Sequence, residues 1–457
     1  MKRVISCVLL MLVLTSNAFA LEVPTDTVVQ NLNGSQQAIK TFTVSPEQDP
    51  AALIEEPFEL EGYLYTFADI VKSENPVEEK RIHTEVITVE TTKDDLALIL
   101  EQLKPTIEYD DGRFQGIFDE IQECPEALNT LKYFKEKANE YHVIAAGSLL
   151  GTLLAKPKSY PVGMVNLLDI YPLTFDEFLE ATDPGLYAYY ESIEKEQPIE
   201  EIFHNRLLEA YNYYLIIGGM PECVSSWIKY KDPAKVSQIQ RELIEVYEND
   251  FSKHNGKVNS GRILMVFRSI VAQLAKPNEK FMYGAVREGG RARDFEEAIE
   301  WLVSAGMLNR VYNVSKMEHP LSAFDKLDQF KLFVFDTGLL KHMAGIDNAA
   351  VLLKTDYQFK GPLTENYVLQ QLRGQFEVEP RYYSDKNSEI DFVLQNGMEI
   401  IPIEAKGGED KSAPSFKKYV ADHKPEHAFR FSKRGYRKDG DFTNLPLYLA
   451  RKTKELL

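Results

Sequence analysis

The sequence predicts a multidomain α/β protein, and three observations carry that prediction. A chain of 457 residues, 44% of them hydrophobic, holds more apolar surface than one core of ordinary size takes in. From about residue 117 onward, strand-like and helix-like hydrophobic periods alternate, the order expected of helices packed on a sheet. Charge is also polarised along the chain: residues 21–115 hold 7 Lys and Arg against 20 Asp and Glu, whereas residues 406–457 hold 13 against 7. The net charge of −18 argues against attraction of the whole molecule to nucleic acid or anionic membrane, so any such contact must be local.

At the start, Lys2 and Arg3 precede an apolar run at 4–14, and Ala18-Phe19-Ala20 supplies a small-x-small cleavage site. This is the pattern of a secretory signal over residues 1–20 and predicts export. The run is too short for a membrane span, which needs about twenty apolar residues, and no later segment supplies one. Removal of Cys7 with the signal would leave Cys124 and Cys223, which make no disulfide framework. Residues 21–45 read as a polar arm. Strands are expected at 63–71 and 82–89, a helix at 93–103 capped by Thr92, and a hairpin around Asp111-Gly112, where Gly accepts the positive φ of a tight turn. Together 21–116 form a small α+β module. It weakly resembles the exported N-terminal regions of some firmicute proteins of unknown function, a likeness that implies no activity.

Beyond residue 116 the expected elements are a strand at 142–146, helices at 174–181 and 202–216, and a break at Gly218-Gly219-Met220-Pro221. Helices at 262–275 and 295–305, a turn at Gly289-Gly290 and a strand at 308–314 follow in an order compatible with a winged helix. The last third returns to α/β, with helices at 364–373 and 415–422 and strands at 389–394 and 400–404.

Asp119-Glu120 after Ile117-Phe118 has the form of a Walker B motif, in which the Asp holds Mg²⁺ and the Glu polarises the attacking water. Its stretch "IFDEIQECPEALNTLKYFKEKANEYHVIAAGSLLG" (117–151), with "YPVGMVNLLDIYPLTFDEFLEA" (160–181), closely resembles the second half of prokaryotic AAA-type ATPases that carry a widespread C-terminal domain of unknown function. The resemblance implies nucleotide-site roles for Asp119 and Glu120, a sensor position at Gly147-Ser148 and a lid motif at Gly218 to Pro221. It also implies a junction at Asp250-Phe251 and Lys253-His254. Two departures bear on that reading. No G-x-x-x-x-G-K-[ST] stands anywhere in the chain, so the backbone nest and the Lys that hold phosphates are missing, and ATP is not an expected cofactor. The strand before Asp119 offers only two apolar residues where a buried parallel strand shows four or more. A sheet without the strand before the phosphate loop has an open edge, which favours a second copy or a partner chain unless residues 58–115 fill it. The chain thus reads as a fusion at about residue 116.

The C-terminal constellation is complete. Glu365 lies on an expected helix, Asp391 on the strand "SEIDFVL" (388–394), and Glu404 and Lys406 on the strand "IPIEAK" (401–406), where their spacing of two puts both side chains on one face. This is the D-(x)n-E-x-K arrangement of restriction-endonuclease-like folds. Asp391 and Glu404 would bind Mg²⁺ or Mn²⁺, and Lys406 would steady or deprotonate the hydrolytic water. Arg287, Arg291 and Arg293 cluster before the 295–305 helix, where a winged helix meets DNA phosphates; the other reading is an exposed helix entry paired with Glu296 and Glu297. Lys417-Lys418, Lys433-Arg434 and Arg437-Lys438, interleaved with Phe429, Phe431 and Tyr436, are either a nucleic-acid groove or an ordinary basic surface.

The expected organisation is a signal at 1–20, the module at 21–116, a partial AAA-type P-loop sheet at 117–250, a winged helix at 251–320 and a restriction-endonuclease-like α/β domain at 321–457. Two function classes stand: an AAA-type ATP-binding protein that has lost hydrolysis and keeps a DNA-binding or metal-dependent nuclease-like domain, or a non-catalytic exported scaffold. Compartment divides them, since export takes the chain away from ATP and chromosomal DNA and the family resemblance places it in the cytoplasm.

Overall fold

The computed structural model describes residues 163–195, 198–254, 256–277, 279–353, 358–385, 388–408 and 413–457, together with the helix Pro125–Lys137, residues 142–147 and short strands before them. The chain divides into two compact units, Met1–Leu168 and Asp169–Leu457. Among the described residues no helix is long and apolar enough to cross a membrane.

In the first unit, strand Gln115–Phe118 pairs in parallel with His142–Ala145, from Gln115 opposite His142 to Phe118 opposite Ala145. On its other edge it meets strand Ile5–Leu14, which runs antiparallel and pairs in turn with Arg81–Val89. The apolar run that reads as part of a signal is therefore a β-strand with neighbours on both edges. The open edge expected beside Gln115–Phe118 is filled, but by antiparallel strands rather than by the parallel strand of a P-loop sheet. The expected helix at 93–103 and the turn at Asp111-Gly112 lie outside the described residues.

The second unit is built on an eight-stranded mixed sheet of order β2-β1-β3-β4-β5-β6-β8-β7. Here β1 is Leu308–Val314, β2 Asp325–Val334, β3 Arg381–Ser384, β4 Glu389–Asn396, β5 Glu399–Ala405, β6 Phe429–Ser432, β7 Arg437–Asp439 and β8 Phe442–Pro446. Strand β4 runs antiparallel to both of its neighbours, β3 and β5, while β6 joins β5 and β8 joins β6 in parallel. The helix Lys360–Leu372 precedes β3 and the helix Pro414–His423 links β5 to β6, so residues 360–432 follow the order α-β-β-β-α-β, and β7 and β8 come after them. A parallel step needs a crossover, and Pro414–His423 provides it.

The hairpin β1-β2 runs across residue 320, where a boundary between winged helix and C-terminal domain was expected. It also joins the large sheet through the parallel contact of Asn313 and Val314 with Tyr382 and Tyr383. Residues 256–334 thus share their strands with the C-terminal sheet instead of closing on themselves. The apolar pattern explains the packing: Phe295, Ile299 and Leu302 of helix Ala292–Ser304 recur at helical spacing and are buried against Phe267 and Ile270 of helix Gly256–Leu274. A second, smaller core of Ile390, Val393, Phe416, Val420 and Phe442 gathers residues of β4, β8 and helix Pro414–His423.

Helices Phe175–Thr182, Pro184–Glu191, Thr337–Met343 and Asn348–Leu352 also belong to the unit, as do the consecutive helices Glu201–Ile217, Pro221–Tyr230 and Pro233–His254. They turn at Gly218 and Gly219. Gly218 has φ of 76°, and a Cβ there would collide with the Asp336 carboxylate; a Cβ on Gly219 would collide with the Leu173 carbonyl. The sequence Gly-Gly-Met-Pro, a lid motif by resemblance, is in the structure a corner packed on Asp336.

Candidate active site

The C-terminal constellation assembles where the β4-β5 ladder ends. The last paired residues are Phe392 and Ile403, and one step further stand Asp391 and Glu404. The ladder does not continue there as backbone pairing. Instead the Asp391 carboxylate accepts the Ala405 N–H at 2.8 Å, which fixes it beside Glu404. On the other side of β4 the register with β3 slips by one residue between Ile390 and Val393, a bulge of the kind that re-aims a side chain. Lys406, just past the end of β5, places Nζ 2.6 Å from the Glu404 carboxylate. Helix Lys360–Leu372 lies close by: a Cβ on Gly407 would meet Thr364 Oγ1 at 2.6 Å, so glycine is needed for the approach that brings Glu365 to the site.

Asp391 and Glu404 are 7% and 5% exposed, and burial in like company shapes their chemistry. Burial, then the charge of Glu365, raises the Asp391 carboxyl to about 6, against the opposing pull of Lys406 and Lys331. Burial, then the Asp391 charge, raises Glu404 to about 8. Burial alone would lower Lys406, but the carboxylates of Asp391 and Glu404 outweigh it and hold the ammonium protonated. Two carboxylates with raised affinity for protons have equal reason to take a metal cation.

A divalent ion fits this donor set only in part through protein ligands. Among the described residues no three His, Cys, Asp or Glu side chains are grouped so as to hold a metal ion, so two carboxylates would be completed by water. Mg²⁺ and Mn²⁺ accept that arrangement, since Mg²⁺ keeps several waters and binds through one or two carboxylates.

The pH dependence follows from these values. Metal binding must expel the protons that the pair carries, so Mn²⁺ affinity should rise steeply below pH 6, more gently between about 6 and 8, and level off above, as titration calorimetry across pH would record. The sign for stability is opposite. Both folded pKa values lie above the ordinary 3.8 and 4.5, so the metal-free protein binds more protons than its unfolded chain, and its stability falls as pH rises from about 4 to about 8. A metal-free melting temperature that climbs over this window would contradict the assignment.

Glu365 does not stand with Asp391 and Glu404 as a free third carboxylate. It is tied to Lys331 at 3.3 Å. Lys331 also binds Glu279 at 3.1 Å and Glu389 at 3.2 Å. Motif spacing does not single out Lys331, Glu279 or Glu389. A signal is present for the first: Lys331 interrupts the apolar run Phe330-Lys331-Leu332-Phe333-Val334, and a cation in a buried strand requires anionic partners.

Asp119, Glu120 and Ser148 lie outside the described residues. Arg287, Arg291 and Arg293 are exposed around the turn Gly289-Gly290 and the start of helix Ala292–Ser304. The expected pairing with Glu296 and Glu297 is not what forms: Glu296 accepts the Tyr283 hydroxyl at 2.5 Å and Glu297 the Asn259 amide at 3.4 Å. The basic tail differs from the groove reading. Phe429 and Phe431 are core residues at 3% and 0% exposure and offer no face to a base. Arg430 between them is buried on Asp439 at 2.8 Å.

Three family models match the chain. An AAA domain matches residues 66–179, beginning inside the segment that composition sets apart as an exported module. A domain of unknown function (DUF8612) matches 208–350, and another (DUF4143) matches 360–449. The last of these covers the α-β-β-β-α-β stretch and with it Glu365, Asp391, Glu404 and Lys406. No curated protein and no solved structure matches the chain.

Proposed function

We propose that residues 360–446 form a divalent-metal-dependent nuclease domain of the restriction-endonuclease-like class, joined to an AAA-type segment that no longer hydrolyses ATP. The observation that carries this reading is the pair Asp391 and Glu404, buried side by side with Lys406 2.6 Å from Glu404, on the α-β-β-β-α-β sheet. Asp391 and Glu404 would hold Mg²⁺ or Mn²⁺. When bound, such an ion supplies Lewis acidity toward a phosphoryl oxygen and a more acidic water. Lys406 stays protonated, so its part is to donate: it orients the attacking water and balances charge on the phosphate, and it does not act as the base. The absence of G-x-x-x-x-G-K-[ST] from the sequence supports loss of ATP hydrolysis, since that motif is what supplies the backbone nest and the Lys for the phosphates. The test is cleavage of supercoiled and linear DNA by the full chain with Mg²⁺ or Mn²⁺, and its loss in Asp391→Ala.

DNA would meet the exposed arginines. Helix Gly256–Leu274, the turn at Gly289-Gly290, helix Ala292–Ser304 and the hairpin β1-β2 follow one another in winged-helix order; Arg287 and Arg291 precede the second of these helices and Arg293 lies in its first turn. The triple substitution Arg287→Ala, Arg291→Ala, Arg293→Ala should weaken DNA binding alike for all sequences and reduce the salt slope of log Kd by roughly one for each phosphate left without its arginine. An unchanged slope in a fluorescence-anisotropy salt series would remove this surface from the reading.

A further inference from the structure

We propose that Lys360 is a substrate-binding residue of the candidate active site: its ammonium takes the phosphate next to the one being cut, so the site accepts a polynucleotide strand rather than a lone phosphate ester. This rests on the nuclease reading of the same site.

Lys360 is the first residue of the helix that carries Glu365. Thr364, 2% exposed, donates its hydroxyl to the Lys360 carbonyl at 2.8 Å and so pins the first turn. That turn lies against Gly407, the residue after Lys406. A Cβ on Gly407 would meet Lys360 Cγ at 2.9 Å and the Lys360 carbonyl at 3.1 Å, so the Lys360 stem runs through the space that a side chain at 407 would fill. Lys360 as a whole stays half-buried, as a lysine does when it packs its methylenes and keeps its charge at the surface.

Two lysines thus come together at the end of β5, and they differ in what they are free to do. Lys406 is committed to Glu404 at 2.6 Å. Among the described residues nothing pairs with the Lys360 ammonium. Asp391 and Glu404 are 7% and 5% exposed, whereas the Lys406 side chain is 31% exposed, which opens the site on the side of the lysines.

Charge then selects the substrate. With a net charge of −18 the chain has no general attraction for a polyanion, so a strand brought to buried acids needs cations at its phosphates. A lone phosphate ester would engage Lys406 and leave Lys360 idle. In a strand the phosphates recur, and the stem packed on Gly407 sets a second ammonium beside Lys406 for the next of them.

The test uses the full chain with Mg²⁺ or Mn²⁺ and short DNA duplexes in which one phosphate at a time is replaced by an uncharged methylphosphonate. In the wild type, replacing one phosphate that neighbours the cleaved bond should raise KM about tenfold and leave kcat unchanged, the loss of one charged contact. Lys360→Ala should raise KM about tenfold on unmodified DNA, and the same methylphosphonate should then add nothing further. Lys360→Arg, which keeps the charge, should behave as the wild type does. Circular dichroism reports whether each variant is folded; if Lys360→Ala disturbs the start of the helix, Lys360→Gln keeps the stem and is read the same way. An unchanged KM for the folded variant, or a methylphosphonate effect that is as large in the variant as in the wild type at every position, overturns the contact and leaves the nuclease reading standing. No cleavage of any duplex by the wild type sinks the nuclease reading, and this contact with it.

Discussion

Asp391→Asn is expected to abolish metal-dependent DNA cleavage, by about a thousandfold or more, while leaving the fold as stable as before or more so. The side chain keeps its shape, and its amide oxygen can still accept the Ala405 N–H now bonded at 2.8 Å. What disappears is the negative charge. Coordination worth several kcal/mol goes with it, and each 1.4 kcal/mol is a factor of ten in rate. Removing that charge also relieves Glu404, whose carboxyl is raised to about 8 by burial and then by Asp391. A protein that gains thermal stability as it loses activity has given up a site built for charge at some expense to the fold. The pairing of readouts separates the alternatives. Cleavage by Asp391→Asn at the wild-type rate would remove Asp391 from the chemistry. No cleavage by the wild type with either Mg²⁺ or Mn²⁺, alongside a rise in melting temperature on substitution, would make Asp391, Glu404 and Lys406 a buried ion cluster without catalysis.

The sequence made the C-terminal site legible because its chemistry is local. Asp391 and Glu404 interrupt apolar strand runs, Lys406 follows directly after the second, and a spacing of two places Glu404 and Lys406 on one side of the chain. The partners of Glu365 were not legible. Lys331 pairs with Glu365 and also with Glu279 and Glu389, all from separate elements, and nothing in the spacing of one strand predicts what a loop about fifty residues before Lys331 delivers. The same reasoning explains the boundary expected at residue 320. Turn residues between 315 and 324 look like a linker, but strand β2 after them carries its own apolar run and returns to pair with β1. Helices Pro221–Tyr230 and Pro233–His254 escaped because Pro at their starts reads as a break, although Pro at the first helical position is well tolerated. At the N-terminus, a short apolar run serves equally as a signal core or a strand, and length alone does not choose between them.

Asp336→Ala should be the most damaging single substitution away from the candidate site. Asp336 is fully buried and, among the described residues, meets no cation; neutral N–H donors hold its carboxylate. It accepts the Gly219 N–H at 2.7 Å, the Leu339 N–H at 2.9 Å and the Gln370 amide at 3.4 Å. These bonds join the corner at Gly218-Gly219, the start of helix Thr337–Met343 and the helix that carries Glu365. Around them Gln370 also accepts from Thr337, and its amide donates to the Tyr214 hydroxyl at 2.9 Å. Truncation to Ala leaves two buried backbone N–H groups without an acceptor, that of Gly219 and the capped N–H of Leu339, at about 1–3 kcal/mol each. A total near 4 kcal/mol corresponds to a fall of roughly 10 °C in melting temperature for a unit of this size. Asp336→Asn should cost less than the Ala variant, since one oxygen remains to accept, yet more than a surface change, because its NH₂ then faces a backbone donor. Urea unfolding of the two variants beside the wild type decides the matter. A loss below about 1 kcal/mol for Asp336→Ala would mean that water reaches the corner and the network does not hold it.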